Sequence, residues 1–151
     1  MDNNKDESVE IGIDSMPLDV LGIIFDYLPT TTKVWLNKHY YFQYRNLIKS
    51  MIPNNRFNNY VIAMIRNDYA FVFEHIIQEN KQKWFEDWIN NKRYKHGNKV
   101  YNCFLYYIYE YSIEQNSNQC RENIEHHATE LIGPKWHKKN RSSSFRRRWS
   151  N

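Results

Sequence analysis

The sequence predicts an all-α fold, for two reasons. The 151 residues contain only four glycines and four prolines, which is few for an all-β protein with many tight turns. Hydrophobic residues make up 41% of the chain, and over most of its length they recur at helical spacing. We therefore expect about six or seven helices and no extended sheet.

The first predicted helix lies in the stretch MPLDVLGIIFDYLP, residues 16–29. Pro17 suits the first helical position, and Asp19 in the first turn favours the helix dipole. Leu28 precedes Pro29, which disfavours helical geometry and ends the helix.

Later helices are predicted from apolar residues at intervals of three or four. They are expected at residues 40–51 (closed by Pro53), 57–65, 69–77, 84–89, 101–112 and 117–131 (closed by Gly133–Pro134). Asn67–Asp68 predicts a break and a cap for the helix that follows, and Ser117 predicts a cap for the last helix. His96–Gly97–Asn98 predicts a turn.

Charge is unevenly distributed along the chain. The formal net charge is +4, but seven of the 21 basic residues follow Pro134, where there is no acid. The remaining 14 basic residues face 17 acids, so residues 1–134 are slightly acidic. The basic end has three consecutive serines and little periodicity, which predicts a flexible tail over residues 134–151.

Three interpretations of this tail stay open: a solvated tail, a nuclear-import or nucleic-acid-binding segment, or a segment that folds on a partner. The residues that would carry import or nucleic-acid contact are Lys138, Lys139, Arg141, Arg146, Arg147 and Arg148.

The first helix is apolar around most of its circumference. At about 100° per residue, its apolar side chains cover about 220°, leaving only Asp19, Gly22 and Asp26 for the polar sector. A helix with one buried face needs an apolar stripe of only about 100°. We therefore expect two apolar neighbours, either from the protein's own core on both sides or from the core on one side and a partner on the other.

These residues resemble the opening helix of an F-box. The positions that match the family's pattern are Pro17, Asp19, Val20, Leu21, Ile24, Phe25, Tyr27, Leu28 and Pro29, with Met16 in place of the usual leucine. Val34–Trp35–Leu36–Asn37–Lys38 resembles, more loosely and in shortened form, the family's Val-Cys-Lys-x-Trp stretch. The resemblance covers about residues 15–50, and short variants of this kind are similar to F-box-like proteins of large DNA viruses.

The resemblance implies a substrate receptor that docks on the Skp-type adaptor of a cullin ubiquitin ligase and holds a target protein. The implied adaptor-binding residues are Pro17, Leu18, Val20, Leu21, Ile24, Phe25, Leu28, Pro29, Trp35 and Leu36. It also implies the domain organisation. An acidic extension at residues 1–14 precedes a three-helix F-box-like module at 15–52, which is packed on a helical target-recognition region at 53–133 and followed by the tail.

Other residue clusters give weaker signals. Trp84, Trp88 and the tyrosines at 106, 107, 109 and 111 predict either a core or an aromatic recognition surface. Cys103, Cys120 and the histidines lack the spacing of structural zinc sites, and no motif of a known catalytic site is present, so we expect no metal, no cofactor and no enzyme activity.

Two cysteines and the absence of a signal-like or membrane-spanning stretch predict a soluble intracellular protein, cytoplasmic or nuclear. The alternative to the F-box-like receptor is a small helical nucleic-acid-binding protein that acts through the basic tail, with tyrosine and tryptophan stacking on bases.

Overall fold

The structure, a computed structural model, describes residues 16–139 and 143–144. Within these residues the chain is mostly helical, with eight α-helices and one small sheet, which confirms the predicted all-α fold. The chain divides into two compact units, one ending at Pro53 and the other beginning at Asn54. The packing of the first unit on the second, expected from the sequence, stays a prediction.

The first unit is built from four short helices. They are α1 (Leu18–Tyr27), α2 (Thr30–Lys33), α3 (Lys38–Tyr44) and α4 (Asn46–Met51). Pro17 and Pro29 lie immediately before α1 and α2, with ψ of 144° and 145°. Pro17 is therefore the N-cap of α1, one residue before the first helical position that was predicted for it. The Asn37 side chain accepts a hydrogen bond from the Tyr40 backbone N–H at 2.9 Å and so caps α3.

The prediction of a single helix over residues 40–51 was wrong in one respect, because the helix is interrupted at Arg45. Arg45 keeps right-handed helical angles, but the Ile48 N–H bonds to the Arg45 carbonyl three residues back instead of four. This tighter turn separates α3 from α4.

The second unit contains the longer elements. In order they are a 3₁₀ turn (Asn54–Arg56), α5 (Phe57–Arg66), α6 (Ala70–Ile89), β1 (Tyr94–His96), β2 (Lys99–Tyr101), α7 (Phe104–Glu114), α8 (Asn118–Ile132), a 3₁₀ turn (Trp136–Lys139) and β3 (Ser143–Ser144). The strands pair antiparallel in the order β1-β2-β3.

One detail of the predicted second unit was wrong. The helices expected at 69–77 and 84–89 are one 20-residue helix, α6. The intervening residues 78–83 are polar but include no helix breaker, so the periodic apolar signal fades while the helix continues. The turn predicted at His96–Gly97–Asn98 is confirmed, and it joins two strands that were not predicted. His96 pairs with Lys99 across it, and Gly97 has φ +56°, a conformation that glycine adopts readily.

Helix α7 lies at the centre of the second unit. Its buried side chains are Phe104, Leu105, Tyr106, Tyr107, Ile108 and Ser112. The Trp84 ring of α6 packs edge-on against Phe104 at 5.4 Å, and the Tyr106 hydroxyl donates to the Trp136 carbonyl at 3.1 Å. Trp84, Tyr106 and Tyr107 are buried and belong to the core, whereas Trp88, Tyr109 and Tyr111 of the same predicted cluster are half-buried.

A turn at Asp68 joins α5, α6 and α8. The Asp68 carboxylate accepts the backbone N–H groups of Gln119 (3.2 Å) and Cys120 (2.8 Å) at the start of α8. The buried Ser117 hydroxyl donates to the Ile65 carbonyl at 2.6 Å. Both cap predictions were therefore wrong in detail: Asp68 caps α8 and not α6, and Ser117 bonds to α5 instead of capping its own helix.

The Asp68 carboxyl has a lowered pKa. Burial alone would raise this pKa, but the hydrogen bonds from Cys120 and Gln119 outweigh burial and favour the charged form. A lowered folded pKa adds stability above the unfolded value of about 3.9, and this stability is lost as the pH falls through the folded pKa.

We predict that Asp68→Ala lowers the free energy of unfolding at pH 7 by about 1–2 kcal/mol, because α8 loses its cap. Asp68→Asn, which tolerates the positive φ of +51° and keeps one acceptor oxygen, should lose less. Urea denaturation at pH 7 and at pH 3 measures both. The difference between wild type and Asp68→Asn should shrink at pH 3, and a difference that is equal at both pH values would contradict the charged cap.

Candidate partner-binding surface

Helix α1 has an inner side that is only partly covered. Leu21, Phe25 and Leu28 are half-buried, and the Phe25 ring meets the Tyr40 ring of α3 edge-on, with 6.0 Å between centroids and 78° between planes. No residue of α1 is buried. The inner side therefore attaches α1 to its own unit without enclosing the helix.

The other apolar side of α1 faces outward. Its residues, here called the outward stripe, are Val20, Ile23, Ile24 and Tyr27, which are 39%, 60%, 39% and 87% exposed. At about 100° per residue, these four side chains span about 100° of the helix, the width of a normal buried face. The outward stripe is thus an apolar helix face that the described residues cover only in part, least at Ile23 and Tyr27.

The ten residues predicted to bind an adaptor do not share one environment, and of the outward stripe they include only Val20 and Ile24. Leu21, Phe25 and Leu28 belong to the half-buried inner side. The exposed ones are Pro17, Leu18, Val20, Ile24, Pro29, Trp35 and Leu36. Of the outward stripe, Ile23 and Tyr27 were missed as site residues, although their angular position beside Val20 and Ile24 was available from the sequence.

Exposed apolar side chains continue beyond α1 within the first unit. Trp35, Leu36 and Phe42 are 47%, 39% and 53% exposed, and the Arg45 guanidinium lies 6.0 Å from the centre of the Phe42 ring. Single exposed apolar residues are normal on a protein surface, but a concentration in one small unit is typical of an interaction site.

The segment predicted as a tail from residue 134 begins with an ordered anchor. Trp136 is buried, and its ring packs against Tyr106 (5.6 Å) and Tyr109 (4.7 Å). Lys138 is exposed beside this anchor. Lys139 ends the 3₁₀ turn, whereas Arg141, Arg146, Arg147 and Arg148 lie outside the described residues.

One histidine cluster connects α6 to α8. His126, His127 and Glu130 offer atoms within 4.8 Å of one another, a spacing that could hold a metal ion. The Lys81 ammonium, however, lies 2.9 Å from Glu130 Oε2 and 3.5 Å from His127 Nδ1, while His127 Nε2 lies 2.9 Å from Glu74 Oε1. A cation therefore already occupies the position between these groups.

The carboxylates of this cluster are held in the charged form. For Glu130, the hydrogen bond and charge of Lys81 lower the pKa. Burial tends to raise the pKa of Glu74, but hydrogen bonds from His127 and Gln78 outweigh burial and lower it. The arrangement acts as an electrostatic link between two helices.

Both cysteines are buried and free. Burial raises the pKa of Cys103 to about 11, and burial together with the Asp68 carboxylate raises that of Cys120 still further. These thiols are protonated at neutral pH, so neither has the reactivity of a thiolate.

None of the helices in the described part of the chain combines the length and apolar character needed to cross a membrane. Comparison with known proteins gives no match: no family model, no curated protein and no solved structure matches the chain.

We predict that Phe25→Ala loosens α1, whereas Tyr27→Ala does not. Both changes replace an aromatic residue of α1 with alanine and alter helix propensity similarly, but only Phe25 packs on Tyr40. Hydrogen exchange of the α1 amides measures the effect. Exchange should accelerate about threefold to tenfold in Phe25→Ala. Equal exchange in the two variants would contradict the assignment of an inner and an outer side.

Proposed function

We propose that the chain is an F-box-like substrate receptor that binds a Skp-type adaptor of a cullin ubiquitin ligase through α1. The observation that carries this proposal is the outward stripe. The wide apolar arc of α1 predicts two apolar neighbours, no residue of α1 is buried, and the resemblance implies that one neighbour is the adaptor.

The energy available from the outward stripe is sufficient for binding. Complete burial of a large apolar side chain is worth about 1.5–3 kcal/mol. Only the part of each side chain that is still exposed contributes on binding, so Ile23 and Tyr27 offer more of this energy than Val20 and Ile24. Association costs several kcal/mol in lost freedom of motion. Because Trp35 and Leu36 are also exposed, the surface has apolar area beyond the helix with which to offset that cost.

The second unit would then hold the target protein. In such a ligase the chemistry belongs to other subunits, and the receptor contributes proximity. The proposed function therefore requires no catalytic residues, cofactor or metal in this chain. Its proposed place of action is the cytoplasm or the nucleus, those of a host cell if the source is a virus.

We predict that the double variant Val20→Asp/Ile24→Asp abolishes binding to a recombinant Skp-type adaptor. Each change places an unpaired carboxylate in an apolar contact, at a cost of several kcal/mol. Leu21 and Phe25 are poorer choices, because they pack within their own unit. Binding is measured by calorimetry, and circular dichroism checks the fold.

The matched control is Asp26→Ala, on the exposed polar sector of the same helix, which should bind as wild type does. Failure of the wild-type chain to bind the adaptor would contradict the proposed function. Equal binding by the wild type and the double variant would show that the outward stripe of α1 is not the adaptor-binding site.

A second candidate function, nucleic-acid binding through the tail, is favoured by one observation. Trp136 is anchored in the core, so the basic segment starts from a fixed point on the second unit, with Lys135 and Lys138 exposed beside it. Phosphate contacts by the basic residues that follow would give a salt-dependent affinity for nucleic acid.

The tail is tested by truncation after Lys139 instead of after Gly133, because the shorter chain would lose the buried Trp136. If the second candidate holds, truncation should abolish a salt-sensitive mobility shift with nucleic acid and leave adaptor binding unchanged. Equal nucleic-acid binding by both chains would exclude the tail as the nucleic-acid site.

A further inference from the structure

A cavity of about 400 Å³ opens in the second unit between α5, α7 and the β-hairpin. The residues that line it are Asn59, Ile62, Ala63, Arg66, His96, Tyr107 and Tyr111. Its volume lies within the range of small-molecule sites, about 300–1,000 Å³. None of the residues placed in the adaptor-binding surface or in the basic tail lines this cavity.

The cavity contains a positioned guanidinium. Arg66, in the last turn of α5, donates from Nε to the Tyr111 hydroxyl oxygen of α7 at 2.9 Å. This bond holds one edge of the guanidinium, and Arg66 forms no ion pair with any residue that the structure describes. A guanidinium positioned in this way keeps its remaining donors for a ligand.

Two further polar side chains of the cavity have no hydrogen-bond partner among the described residues. These are the Asn59 amide on α5 and the His96 ring at the end of β1. The His96 ring is held against the buried Tyr107 ring, with centroids 4.6 Å apart and planes 35° apart. The Arg66 guanidinium, the Asn59 amide and the His96 ring thus line one cavity, two of them from α5 and one from β1.

The cavity lining includes no carboxylate. Two acidic residues on α7, Glu110 and Glu114, are both paired with Lys99 on β2 and take no part in the lining. The charge presented by the cavity walls is therefore positive. A site with a cation, neutral donors and no acid favours an anionic ligand.

From this geometry we propose that the cavity binds a phosphate monoester of a small ring-bearing molecule. A phosphate offers three acceptor oxygens to the donors of Arg66, Asn59 and His96, whereas a carboxylate offers two. Ile62, Ala63 and the exposed edge of Tyr111 provide the apolar wall for the ring. This inference is independent of adaptor binding.

The probe for this site is phenyl phosphate, titrated into the full-length protein and followed by amide chemical shifts. The shifts that change should cluster at residues 59–66, 96–97 and 107–111. Phenol should not compete, and inorganic phosphate should bind more weakly than phenyl phosphate, because it lacks the ring. Shift changes located elsewhere would overturn the proposal. Binding of phenol to the same residues as tightly as phenyl phosphate would overturn it as well.

Variants provide the second arm. Arg66→Ala should weaken phenyl phosphate binding about tenfold or more, and Arg66→Lys should recover only part of it, because lysine cannot form the bidentate contact. Arg121→Ala on α8, which removes an arginine outside the cavity, is the matched control and should bind as wild type does. Equal binding by Arg66→Ala, with its fold confirmed by circular dichroism, would also overturn the proposal.

Discussion

The second unit depends on the enclosure of α7. This helix carries aromatic and aliphatic side chains around nearly its whole circumference, and a helix of that kind is stable only when it is surrounded. Helices α5, α6 and α8, the hairpin and the Trp136 turn all contribute side chains to one core around it. Tyrosine makes this possible at a cost, since each buried hydroxyl needs a partner, and Tyr106 finds its partner in the Trp136 carbonyl. The segment after α8 thus belongs to the core as far as Trp136.

Helices α1 and α7 have a similar apolar pattern but differ in burial. Both are apolar on nearly every side, yet α7 is buried and α1 has no buried residue. The pattern states how much apolar surface a helix carries, but it does not state what covers that surface. For α7 the covering elements are present in the described chain. For α1 they cover only the side of Leu21, Phe25 and Leu28, so the remaining side is the surface on which the proposed function rests.

This difference also defines how much the sequence can predict. Proline, glycine and helical period located the ends of α1, α5 and α8 to within a few residues, because these signals are local. The continuity of α6 through residues 78–83 was missed, since a polar stretch without a breaker carries no periodic signal. The partner of Asp68 was missed for a different reason: its contact joins residues 52 positions apart, and a cap from a distant turn leaves no local pattern. The cavity between α5, α7 and the hairpin was missed in the same way, because Arg66, His96 and Tyr111 are adjacent only in the folded unit.

The Asp68 turn has a consequence for the order in which the second unit folds. Its bonds to α8 and the bond between Ser117 and Ile65 close loops of about fifty residues that contain α6, the hairpin and α7. Closing such a loop costs conformational entropy before any stabilising contact has formed. Local helices therefore form faster than the contacts that close the loop. We therefore expect the start of α8 to become fixed after the local helices have formed. Any change that delays this closure would leave the apolar face of α8 exposed for longer and would favour association between chains during folding.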